Sequence, residues 1–144
     1  MVKNVRHTGI VVSDIERSIH FYGDLLGFEI QKDMLESGEY IDNFSDLQNA
    51  SVRTVKMSLN NGDMVELLYY NSHPEQPDHS RKITQIGCSH IALTVEDMDH
   101  TYRLLTEAGV RFNSPPQQSP DGYAKVTFCK DPDGSLVELV EVIK

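Results

Sequence analysis

Apolar residues alternate with small or polar ones from Val5 to Val12, placing Thr8, Ile10 and Val12 on one face and His7, Gly9 and Val11 on the other. That period of two predicts a strand with one side toward a core. Asp14 follows as a helix N-cap, and Ile15, Ile19, Tyr22 and Leu26 recur at helical spacing up to Gly27, which is placed to end the helix in the left-handed conformation. An extended pattern resumes from Phe28 to Lys32. Met34 to Ala50 is polar and poorly periodic, predicting an inserted loop or a short helix. Val52 to Leu59 and Met64 to Tyr70 read as two strands joined through Asn60-Asn61-Gly62-Asp63, a hairpin signal.

The pattern then runs a second time. Asn71 to Lys82 is a linker rich in Ser, His, Pro and Asp, in which Pro74 and Pro77 exclude regular structure. Beyond it come a strand from Ser89 to Val95, Asp97 as a cap, Met98, Tyr102 and Leu105 at helical spacing, and Gly109 as the stop. Val110 to Phe112 predicts the start of another strand, Ser114 to Gly122 a proline-rich loop, and Lys125 to Cys129 a strand paired with Leu136 to Val142 across Asp131-Pro132-Asp133-Gly134. Each half is therefore read as β-α-β-β-β. The repetition extends to single residues: His7 recurs as His90 and Asp14 as Asp97, both at an offset of 83, while Gly62 recurs as Gly134 and Glu66 as Glu138, at an offset of 72. The offset shrinks by 11, so the first copy carries an insertion. The expected organisation is one domain over residues 1–144, with a first module over about 1–70, a linker over about 71–86 and a second module over about 87–144.

Composition narrows the function. Thirteen basic against twenty-two acidic residues give a net charge of −9, which argues against a nucleic-acid partner. No apolar run approaches the roughly 18 residues of a membrane span, and the early strand pattern leaves no room for a signal peptide, so a cytoplasmic location with no membrane association is expected. Cys88 and Cys129, in no Cys-x-x-Cys pair, are expected to be reduced, buried structural residues.

Glu66 shares a predicted strand face with Met64 and Leu68, and Glu138 shares one with Leu136 and Val140. A carboxylate among apolar neighbours needs a cation, an arginine or a metal. A lone strand histidine is most often a hydrogen-bonded structural residue, but here two histidines and two glutamates form matched pairs. His7, Glu66, His90 and Glu138 are thus candidate ligands of one divalent metal ion, with nitrogen and oxygen donors that suit Zn, Ni, Co, Fe or Mn. Four protein ligands leave positions open in an octahedral site, and open positions point to catalysis on a small-molecule substrate. Glu66 and Glu138 are also the candidate bases. Glu141 has the opposite parity and should face away, and His20, His73, His79 and His100 have no matched counterpart.

These residues resemble the vicinal oxygen chelate superfamily, which includes glyoxalase I, methylmalonyl-CoA epimerase, extradiol dioxygenases, fosfomycin-resistance proteins and bleomycin-binding proteins. The resemblance rests on His7-Thr8-Gly9-Ile10-Val11-Val12-Ser13-Asp14, on Ser18-Ile19-His20-Phe21-Tyr22 with Leu25-Leu26-Gly27-Phe28, on His90-Ile91-Ala92-Leu93-Thr94-Val95, and on Asp131-Pro132-Asp133-Gly134 with Leu136-Val137-Glu138-Leu139. It implies an α+β fold of two tandem βαβββ modules forming a cupped mixed sheet, helices outside and a metal inside. It also implies a metal-dependent, glyoxalase-like isomerase or lyase that removes a proton next to a carbonyl, and a homodimer. An epimerase, an extradiol-type dioxygenase and a non-catalytic antibiotic-binding protein are the alternatives. Two departures stand out: Val11 occupies the place of a basic residue that helps glyoxalase I hold glutathione, and Glu66 stands where the epimerases usually have Gln. Arg53, Lys56, Arg81 and Lys82 are the basic residues that could compensate for Val11.

Overall fold

Asp14 and Asp97 cap two helices in the same way. Each has an extended backbone, and its carboxylate accepts from a backbone N–H three residues on, that of Arg17 at 3.1 Å and that of His100 at 2.9 Å. Gly27 (φ +88°) and Gly109 (φ +86°) end them in the left-handed region. The computed structural model describes all 144 residues, in two units, Met1–Pro77 and Asp78–Lys144. Unit 1 contains β1 (Thr8–Val11), α1 (Ile15–Ile19), a π-helical continuation (His20–Leu25), β2 (Glu29–Ser37), α2 (Glu39–Ser45), β3 (Ser51–Ser58) and β4 (Met64–Tyr70). Unit 2 contains β5 (His90–Thr94), α3 (Met98–Glu107), β6 (Gln117–Gln118), β7 (Ala124–Lys130) and β8 (Leu136–Val142).

Each unit builds its own four-stranded mixed sheet, in the orders β1-β4-β3-β2 and β5-β8-β7-β6. In both, the first strand runs parallel to the last and the remaining pairs are antiparallel. The sheets are the α+β tandem modules expected from the repeat. No helix is long and apolar enough to cross a membrane.

One face of the first sheet supplies buried Ile10, Val55, Met57, Val65 and Leu67, and the helix supplies Ile15, Phe21 and Tyr22. In unit 2 the corresponding core is Val137, Leu139 and Cys129 from the strands with Met98 and Leu105 from α3. The first helix has one residue more between cap and stop than the second, Asp14 to Gly27 against Asp97 to Gly109. Its second half is accordingly wound as a π-helix, in which the Leu26 N–H reaches the Phe21 carbonyl five residues back.

Several elements differ from the sequence reading. The first strand is shorter than Val5–Val12, beginning at Thr8, so His7 lies just before it. The stretch from Met34 is extended as far as Ser37, because β2 keeps its ladder with β3 to the pair Ser37–Ser51; only then does α2 form. As an edge strand β2 is exposed along most of its length, which removes the alternation that marks a half-buried strand. In unit 2, Val110 to Phe112 forms no strand but a single bridge, Phe112 to Cys129, and β6 lies inside the proline-rich stretch as two residues paired with β7. Cys129 is buried as expected. Cys88 is exposed.

The inserted helix packs on the sheet face opposite α1. Ile41 and Ala50 are buried together with Val52, and Leu47, Leu68 and Tyr70 pack against them. Val52 pairs with Tyr70, Thr54 with Leu68 and Lys56 with Glu66, so these residues project from the same face. The insertion therefore walls one end of the face that carries Glu66. The loop after α2 is fixed by Asp42, whose carboxylate accepts from the Asn49 and Ala50 N–H groups.

Candidate functional site

Glu66 sits in β4 between Val65 and Leu67, whose side chains enter the core behind the sheet, so its own carboxylate is turned to the opposite face. Its neighbour on β1 is Gly9, and the pair beside that is Val11 with Leu68. A side chain at Gly9 would stand 3.6 Å from Leu68 Cδ1, ordinary contact, so the glycine leaves an opening beside the carboxylate. His7 enters this opening from the start of β1. Its Nε2 lies 3.6 Å from Glu66 Oε1, beyond a normal hydrogen bond. Its Nδ1 is buried without a hydrogen-bond partner. Lys56 completes the group, its Nζ 3.9 Å from Glu66 Oε2.

Unit 2 repeats the arrangement with different supports. Glu138 pairs with Ala92 on β5 and Phe128 on β7, and its Oε2 lies 3.0 Å from His90 Nε2. Here the imidazole is held from both sides. Ser89 Oγ is 2.6 Å from His90 Nδ1, and the Phe128 ring meets the His90 ring edge-on at 5.0 Å and 80°. A hydroxyl on Nδ1 leaves Nε2 to face the carboxylate, which fixes the ring's orientation in the manner of ligating histidines. Ser89 and Phe128 were missed in the sequence reading. The adjacency Ser89-His90 was the available signal for the first, and only strand register exposes the second.

Each unit thus brings one expected His and one expected Glu together, and neither groups three or more His, Cys, Asp or Glu side chains about a point. The residues fit a divalent ion. Two donors about 2.1 Å from one ion are about 3 Å apart at a right angle and about 3.4 Å apart at the tetrahedral angle, and the observed separations are 3.0 and 3.6 Å. A histidine with one nitrogen orphaned and the other too far from its carboxylate to bond has no other evident role.

Several other ionisable residues are engaged elsewhere. Glu141, on the opposite face of β8, accepts from the Met98 N–H at 2.8 Å and so caps α3. Arg53 lies on the α1 side of the first sheet, bonded to both oxygens of Asp33 (2.9 and 2.7 Å) and to Glu16 (2.7 Å), so of the two basic residues on β3 only Lys56 reaches Glu66. Its guanidinium holds the Asp33 carboxyl below the usual carboxylate range. His20 pairs with Asp24 on the π-helical segment, His100 with Arg103 on α3 and His73 with Ser72, all away from the two pairs. A cavity of about 1180 Å³ runs along the insertion from Ser37 to Ser51, but none of the four candidate ligands lines it.

Comparison with known proteins gives a consistent picture. Residues 4–139 match the family model described as the Glyoxalase/Bleomycin resistance protein/Dioxygenase superfamily. A protein of Synechocystis described as a probable lactoylglutathione lyase is 30% identical over 136 residues, 94% of this chain and 92% of its own length. YwkD of Bacillus subtilis, described as uncharacterized, is 29% identical over 143 residues and 98% of each chain. Among solved structures, a glyoxalase family protein from Bacillus cereus has the same fold, with a TM-score of 0.91 at 21% identity, over 100% of this chain and 97% of that one.

Proposed function

We propose, since this chain belongs to the Glyoxalase/Bleomycin resistance protein/Dioxygenase superfamily, that it is a metal-dependent isomerase or lyase acting on a small carbonyl compound with an oxygen on the next carbon. The observation that carries the proposal is the repeated pair: in each unit a histidine Nε2 and a glutamate oxygen face each other at the separation two ligands of one ion would have. His7, Glu66, His90 and Glu138 would hold the ion. The two pairs would come from one chain or from two copies in a homodimer. Zn, Ni, Co, Fe and Mn all suit the donors. The chemistry a divalent cation supplies there when bound is polarisation of the carbonyl oxygen.

The chain's own residues do the rest. Glu66 or Glu138 takes the proton from the oxygen-bearing carbon next to the carbonyl and returns it to the carbonyl carbon or to the same carbon, the first outcome an isomerisation and the second a racemisation. Gly9 and Ala92, beside the two glutamates, leave the room a substrate needs. The half-buried setting of both carboxylates keeps bulk water from competing for the proton. The Synechocystis relative's description as a probable lactoylglutathione lyase supports chemistry of this class.

Elemental analysis tests the proposal. Protein purified without chelator should carry about one equivalent of a first-row divalent metal per site, and His7→Ala or His90→Ala should remove it while leaving the thermal unfolding transition cooperative. Metal that never binds under reconstitution would overturn the proposal in favour of a small-molecule binding protein. Turnover that requires oxygen and ferrous iron would replace it with dioxygenase chemistry. Solvent deuterium entering a substrate carbon without oxygen uptake is the expected result.

A further inference from the structure

The two halves share a backbone register and differ where that register meets the glutamates. In unit 1 the residues paired across the sheet at this level are Gly9, Glu66, Lys56 and Lys32, on β1, β4, β3 and β2. In unit 2 they are Ala92, Glu138 and Phe128, on β5, β8 and β7. A cation therefore stands in the first half where an aromatic ring stands in the second. Phe128 packs on His90, whereas Lys56 makes only a loose ion pair with Glu66. Its Nζ is 3.9 Å from Glu66 Oε2, too far for a hydrogen bond, and its side chain is only 26% exposed. Arg53, three residues earlier on the same strand, makes three bonds to carboxylates within 2.9 Å.

We propose that Lys56 is a specificity-determining residue that receives a carboxylate on the substrate, so that this site acts on carboxylate-bearing carbonyl compounds in preference to neutral ones. The inference rests on the metal-dependent reading above. A partly covered ammonium has given up hydration and gains most from a nearby counter-charge. Glu66 is the carboxylate it faces, and a Glu66 that shares its charge with a divalent cation leaves Lys56 uncompensated. With Lys32 next in the row, the local balance then becomes positive in a chain whose net charge is −9. A substrate oxygen anion within hydrogen-bonding reach of Nζ restores the balance.

The test is isothermal titration of zinc-loaded protein with two probes that chelate through the same two oxygens: acetohydroxamate, with an uncharged tail, and the monohydroxamate of succinic acid, with a carboxylate tail. Wild type should bind the carboxylate probe more tightly by about ten- to a hundred-fold, the range for a hydrogen bond to a charged partner. Lys56→Met should abolish the preference with little change for acetohydroxamate, and Lys56→Arg should retain it. Raising the salt from low to high should shrink the preference in wild type, a readout that needs no variant to fold. Equal binding of the two probes by wild type, or an equal loss of both in Lys56→Met, would overturn the role of Lys56 while leaving the metal reading intact. Failure of wild type to bind either probe or zinc would overturn both.

Discussion

His7 and His90 hold matching places and are anchored differently, one by nothing beyond its glutamate and the other by a serine hydroxyl and an aromatic edge. The sequence announced the four donors because their spacing repeats. It could not announce these supports, since Ser89 and Phe128 have no repeated counterpart and act through contacts across strands. The cysteines show the same limit: composition alone suggested two buried thiols, whereas Cys88 is exposed and Cys129 fully covered. Burial, with Asp131 adding to it, pushes the Cys129 thiol up to about 12. Because the folded state holds this proton more tightly than the unfolded chain, its contribution to stability is complete below the ordinary thiol pKa of about 8.5 and is lost as pH rises toward 12. Iodoacetamide at pH 8 should therefore add one group to the native protein and two to the denatured one, by intact mass; two adducts without denaturant would contradict this burial. For Asp33 the sign is reversed. Its folded pKa is lowered by the Arg53 bonds, so the pair stabilises above the ordinary carboxylate range and is lost as acid protonates Asp33. Both carboxylates on Arg53 are more than a third exposed, so Arg53→Met should cost only about 1 kcal/mol at pH 7. The deficit should fade as the pH falls below the ordinary carboxylate range in urea titrations, and a deficit independent of pH would assign the arginine to packing instead.

At the scale of elements, what was legible had local chemistry and what was not depended on distant partners. The caps at Asp14 and Asp97, the stops at Gly27 and Gly109 and the turn through Gly62 are set by residues within a few positions of one another. The end of β2 and the two residues of β6 are set by pairing with β3 and β7, which no short window of sequence contains. The insertion was visible as a change of offset, but its place on the Glu66 side of the sheet follows from Ile41 and Ala50 meeting Val52. Helix α3 draws on both kinds of information. Asp97 bonds the His100 N–H from within the element, and Glu141 bonds the Met98 N–H from a strand 43 residues away. Two carboxylates at one helix start satisfy two of its free N–H groups and oppose the helix dipole favourably. Asp97→Ala and Glu141→Ala should each lower stability by about 1 kcal/mol, measured by urea unfolding, with α3 losing hydrogen-exchange protection first. Unchanged midpoints in both variants would mean that tertiary packing alone fixes the helix.

Across the whole molecule, the two halves keep the paired His and Glu and differ in the residues around them. Val11 lies beside Leu68 on the His7 side of the first sheet, an apolar place at which no charge-assisted bond to a glutathione carboxylate can form. The hemithioacetal of methylglyoxal and glutathione should accordingly be a poor substrate for the metal-loaded protein, and a kcat/KM of roughly 10⁷ M⁻¹s⁻¹ or more would show that another cation replaces the missing one. The π-helical segment records how such divergence is absorbed. One additional residue has entered the first helix relative to the second, and the chain has taken it up within a single turn, so that Gly27 still ends the helix and β2 still meets β3. A helix stores an extra residue as a wider coil, whereas in a paired strand a slip of one turns every side chain beyond it to the wrong face unless a bulge absorbs it, as between Ile30 and Lys32 on the edge strand β2. Removing Asp24, an exposed member of that turn, should leave a folded protein with a regular α-helix, whereas removing Thr54 from β3 should put Lys56 into the core and unfold unit 1, outcomes that circular dichroism would separate. The repeat thus takes up a change of length in two places, inside the helix between its cap and its stop and on the edge strand of the sheet, and keeps the inner strands that carry the glutamates in register.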